Sequence, residues 1–111
     1  MSMACDELSD RIRALLPPGA NVRETRMFGG RAFMIDGNML VCPTKEGSLI
    51  VRGGKDGMTA ALAISGAEIM DMGGRSMTGF VVVSGDAVED DEALGHWIGV
   101  AQAFVRTLPA K

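Results

Sequence analysis

The chain has 111 residues, 47% of them hydrophobic and 23% charged, which fits one globular core, leaves no room for two, and excludes wholesale disorder. A formal net charge of −3 argues against autonomous, non-specific capture of nucleic-acid phosphates. Four Phe, one Trp and no Tyr leave few platforms on which single-stranded bases could stack.

Along the chain, Cys5, Leu8, Ile12, Leu15 and Leu16 recur at near-helical spacing, with Asp6, Glu7, Asp10, Arg11 and Arg13 on the other side. This predicts a first amphipathic helix, stopped by Pro17-Pro18-Gly19. Strands are predicted over Val22 to Phe28 and, after Gly29-Gly30, over Ala32 to Asp36. Gly37-Asn38 then reads as a two-residue hairpin turn into a strand at Met39 to Cys42. Pro43 to Gly47 forms a turn, and Ser48 to Arg52 a further strand. Gly53-Gly54-Lys55-Asp56-Gly57 leads into a short Ala-rich helix over 58–64 with Asp56 as its cap.

Ala67 to Met72 reads as a strand turning at Gly73-Gly74. Thr78 to Ser84 follows, and its unbroken apolar centre, Phe80 to Val83, predicts a central place in the sheet. Asp86 to Asp91 puts acidic groups where a helix dipole favours them. Ala93, Leu94, Trp97, Ile98, Ala101, Phe104, Val105 and Leu108 then form the apolar stripe of a last helix, ending before Pro109. Runs of strands joined by short turns imply an α+β fold: a two-layer sandwich whose antiparallel sheet of five or six strands carries helices on one face, in the order α-β-β-β-β-α-β-β-α. All of 1–111 is one domain. An internal echo links Phe28-Gly29-Gly30-Arg31-x-Phe33 with Met72-Gly73-Gly74-Arg75-x-Met77.

No apolar run approaches the ~18 residues of a membrane-crossing helix, and the first residues lack the basic and apolar regions of a secretory leader. A cytoplasmic location is therefore expected, with Cys5 and Cys42 as thiols and Cys42 inert within an apolar strand. His96 is the only histidine. It has no Cys/His partners at zinc spacing, and Glu89-Asp90-Asp91-Glu92 lacks the alternation of a calcium loop and reads as a helix cap. Gly53 to Gly57 lacks the full phosphate-loop pattern. No catalytic group, metal or cofactor is expected. Arg26, Arg31, Arg52 and Arg75 each flank a glycine turn and form the candidate anion or partner site, against a plainer reading as solvated charges paired with acidic residues. The methionines, among them Met27, Met34, Met39, Met70, Met72 and Met77, read as core filling. Exposed edges of a small antiparallel sheet offer a route to a homodimer.

Taken together, Met27-Phe28-Gly29-Gly30, Phe33-Met34, Asp36-Gly37-Asn38-Met39, Arg52, Gly74 to Val81 with Gly79-Phe80 within it, and the closing Leu94, Trp97, Ala103-Phe104 and Leu108-Pro109 resemble the N-terminal domain of the TfoX/Sxy family. The resemblance spans nearly the whole chain. It implies a small α+β domain related to regulators of bacterial natural competence. Full-length members act as transcriptional co-activators beside a cyclic-AMP receptor protein and carry a second, C-terminal domain. The expectation is a non-enzymatic domain acting through protein contacts in transcription regulation. The alternative is a small-molecule or anion-binding domain built on the arginines.

Overall fold

The computed structural model describes residues 3–16, 22–27, 30–35, 37–44, 47–54, 66–72 and 75–108. Helix α1 (Met3–Leu15) precedes strands β1 (Val22–Met27), β2 (Gly30–Ile35), β3 (Asn38–Pro43) and β4 (Leu49–Arg52). Strands β5 (Ala67–Met72) and β6 (Arg75–Val83), a 3-10 turn (Gly85–Val88) and helix α2 (Asp91–Val105) follow. The helix expected over 58–64 lies outside the described residues.

The six strands form one sheet in the order β1-β2-β3-β4-β6-β5, and every neighbouring pair is antiparallel. The chain passes from β4 to the far edge and returns, so that β6 lies between β4 and β5. The apolar Phe80 to Val83 run thus has the interior position its composition demands.

Alternation along the strands divides the core into two clusters. Phe33, Val41, Leu49, Val51, Val81 and Val83 meet Leu8 and Ile12 of α1 and Leu94, Trp97, Ile98, Ala101 and Val105 of α2. Both helices therefore cover the same face. Burying a side chain of this size contributes about 1.5–3 kcal/mol, and Trp97 and Phe33 are the largest. On the opposite face, Ala32, Met39, Cys42 and Ile50 form a second buried cluster, with Met34, Phe80 and Val82 half-buried against it. The register between β2 and β3 shifts after Phe33, and both Leu40 and Val41 join the helix-facing core.

Local details depart from the expected boundaries for identifiable reasons. Ile35 pairs with Asn38, so residues 36 and 37 connect β2 to β3, and Asn38 is the buried first residue of β3 rather than part of the turn. Gly37, with φ +82°, holds the left-handed position. In α1 the buried stripe runs through Leu8, Ser9 and Ile12 toward half-buried Leu16, which puts Leu15 on its margin at 38% exposure. Helix α2 begins where the acidic run implied: Asp90 Oδ1 accepts the Ala93 N–H at 2.7 Å, and Asp91 and Glu92 occupy the first turn. It ends at Val105, and the amides of Thr107 and Leu108 turn back to the carbonyls of Phe104 and Val105.

Two family-signature glycines have structural causes. A Cβ on Gly30 would stand 1.9 Å from the Pro43 carbonyl oxygen, so β2 can approach the end of β3 only without a side chain there. Gly79 has φ +92° where the β5–β6 register breaks. Its carbonyl accepts both the Gly53 and Gly54 N–H groups, at 3.0 and 3.1 Å.

Candidate functional site

Sheet register determines where each of the four singled-out arginines lies. Arg26 and Arg31 are direct partners across β1 and β2, next to the closing pair Met27 and Gly30. Arg31 alternates with Phe33 and so shares the helix-covered face. Glu24 stands opposite Phe33 on that face. From α1, Arg13 donates Nη2–H to Glu24 Oε1 at 2.6 Å and Nε–H to Oε2 at 2.7 Å. It also reaches Asp10 and lies 5.8 Å over the Phe33 ring.

The hydrogen bonds from Arg13 hold the Glu24 carboxyl below its usual value of 4.5, against a partial opposing effect of burial. Arg31 reaches the same carboxylate only at 3.5 Å. Arg26 is exposed and has no ion-pair partner among the described residues.

Arg52 and Arg75 lie at the other end of the strands. Arg52 pairs with Phe80 across β4 and β6, on the face opposite the helices. Its guanidinium carbon lies 5.6 Å from the centroid of the Phe80 ring and 5.6 Å from that of Phe104 on α2. Arg75 opens β6 opposite Met72. The fold thus gathers Arg26 with Arg31 and sets Arg52 apart from them by face and by strand end. The plainer reading, charges paired with acids, describes Arg31, whose acid is Glu24.

The remaining chemistry-bearing groups are dispersed. Cys42 is a fully buried thiol in the cluster facing away from the helices, directed at the Pro43 carbonyl. His96 is exposed on α2, edge-on to Trp97 with ring centroids 5.9 Å apart. Asp90 caps α2 and Asp91 accepts from Arg11 Nε at 3.1 Å. Asp86 and Glu89 line a cavity of about 260 Å³ with Glu7 and Arg11, and Arg11 Nη2 is buried without a hydrogen-bond partner among the described residues. No group of three metal-ligating side chains occurs among the described residues.

Two contacts went unread in the sequence: the Arg13–Glu24 pair and the meeting of Arg52 with Phe104. The first spans eleven residues between consecutive elements and the second joins β4 to α2, and neither has a local spacing signal. Of the glycines singled out in the sequence, Gly30, Gly37 and Gly79 have structural causes, and Gly29 and Gly74 lie outside the described residues.

No curated protein and no solved structure matches this chain. The sequence profile of the TfoX N-terminal domain matches residues 14–105, from the end of α1 to the last residue of α2, and the chain belongs to that family.

Proposed function

We propose that this domain works without catalysis, through protein contacts in transcription regulation, with a transcription factor of the cyclic-AMP receptor type as partner. The observation that carries the reading is the family match over residues 14–105, which embraces all six strands and helix α2. Its TfoX N-terminal character makes it a competence-regulator-like domain. The dispersal of Cys42, His96 and the acidic groups supports a non-catalytic role, and no described helix is long and apolar enough to cross a membrane. In this reading the protein acts in the cytoplasm, and the exposed edge strands β1 and β5 are the route by which two copies would pair.

The test is retention of the cyclic-AMP receptor protein of the same cell on the immobilised domain under native expression. Specific retention is expected. Recovery of no protein partner, together with a tightly bound metabolite in a ligand screen, overturns the proposal.

One observation favours a second reading, an anion site. Arg26 and Arg31 face each other across two strands, an arrangement that like charges disfavour, while Arg13 engages both oxygens of the nearby carboxylate. A bridging anion would relieve that repulsion. At 100 times its dissociation constant, inorganic phosphate would add about 2.7 kcal/mol of apparent stability. Loss of that gain in Arg26→Gln/Arg31→Gln is the expected control, and no thermal shift with phosphate removes the reading.

A further inference from the structure

We infer that Arg52 is the docking point for a carboxylate carried by a protein partner, an inference that rests on reading the domain as one that works through protein contacts. Three elements converge on this guanidinium. Register across β4 and β6 sets Arg52 beside Phe80. Helix α2 supplies Phe104, whose ring lies so close to the backbone that a Cβ on Gly54 would come within 2.3 Å of it. The Gly79 carbonyl pins the intervening Gly53 and Gly54 amides. The cation lies over both rings, 5.6 Å from each centroid. Aromatic faces attract a guanidinium but leave its N–H donors without strong acceptors.

The ion pairs of the described residues belong to Arg11, Arg13 and Arg31, and none reaches Arg52. A positive group that is held in place and has no ion-pair partner among the described residues, in a chain of net charge −3, presents its planar fork to an acid from outside. Arg52, Phe80 and Phe104 are all half-buried, and Val82 continues the apolar surface beside Phe80. Arginine with aromatic neighbours is the composition of an interface hot spot.

The surroundings favour a carboxylate over a phosphate. A phosphate dianion is best held by a second cation or by unengaged backbone amides. Arg26 and Arg31 are at the opposite strand end, Arg75 shares the Arg52 end but stands five positions along β6 from Phe80, the partner of Arg52, and the adjacent Gly53 and Gly54 amides already donate to Gly79. One carboxylate can take two parallel N–H bonds from a single guanidinium, and the two rings suit an apolar residue flanking the acid.

The experiment follows the Arg52 Nε–Hε resonance of the ¹⁵N-labelled domain. The probes are a capped tetrapeptide with two glutamates between leucines, its glutamine counterpart, and inorganic phosphate. The glutamate peptide should move the Arg52 signal saturably, and the glutamine peptide should bind about tenfold more weakly. Arg52→Lys keeps the charge but loses the fork, and should weaken binding by a similar factor with the remaining amide spectrum unchanged.

Equal binding of both peptides, a response to phosphate at lower concentration than to the glutamate peptide, or no Arg52 shift at all overturns the inference. The glutamine control is run on the unaltered chain, so the result does not depend on the variant folding. If the transcription factor is retained while Arg52 stays silent, the interaction role stands and this docking point falls. If Arg52 responds while the transcription factor is not retained, the partner's identity falls and the docking point stands.

Discussion

The two hairpins at opposite edges of the sheet share a short sequence echo and solve the same problem differently. In β1–β2 the ladder runs unbroken from Val22 paired with Ile35 to Met27 paired with Gly30. In β5–β6 it jumps from Ile69 paired with Val81 to Asp71 paired with Ser76, and Gly79 is among the extra residues of β6. The echoed glycines are also out of step: Gly30 already lies within β2, whereas β6 opens only at Arg75, after Gly74. The closing pair is Met27 with Gly30 in one hairpin and Met72 with Arg75 in the other, so Arg31 and Arg75 are not equivalent positions. The first edge is paired without interruption, charged, and tied to α1 by Arg13 and Glu24. The second is interrupted by a register shift and carries exposed Ile69.

The largest effect is expected from Gly30→Ala, because the added Cβ would meet backbone and not a yielding side chain. A loss of about 3 kcal/mol or more in urea denaturation is expected. A loss below about 1 kcal/mol would show that the β2–β3 approach relaxes easily, and would break the contrast with the other hairpin. Gly79→Ala should cost about 1–3 kcal/mol through its positive φ. Its signature is local: amide exchange should quicken in β5 and leave β1 unchanged. Uniform acceleration across the sheet would mean that the bulge supports the whole fold.

The smallest effect is expected at Glu24→Gln, below about 1 kcal/mol at neutral pH, since the carboxylate is partly solvated. Its pH dependence has a definite sign. The Arg13 hydrogen bonds depress the Glu24 value in the folded state, so the stabilisation is present above the unfolded value, near 4.5, and is lost as pH falls below it. Wild type and variant stabilities should therefore converge on acidification. A gap that persists well below that pH would assign the effect to packing against Phe33 instead of charge.

The antiparallel α+β class, the limits of β5, the interior place of β6 and the Asp90 cap were all legible because each rests on local pattern. Sheet order was less so: that β6 rather than β5 adjoins β4 follows from packing across the sheet, which no short spacing records. The placement of the arginines was hard to read for a related reason. Leu49-Ile50-Val51-Arg52 is apolar toward both faces, because the sheet carries a buried cluster on each side. Alternation in that strand therefore could not say which face Arg52 would take. Arg13 and Glu24 carry ordinary surface residue types, and only the docking of α1 over β2 makes them partners.

Strand β3 is buried along its whole length, from Asn38 to Pro43, between neighbours on both sides and clusters above and below. Cys42 within it has no solvent-accessible surface. A thiol reagent can therefore reach Cys42 only when the domain as a whole comes apart, while fraying at the β1 or β5 edge leaves it shielded. In a Cys5→Ser background, the labelling rate of this one sulfur becomes a clock for global unfolding, with no denaturant needed.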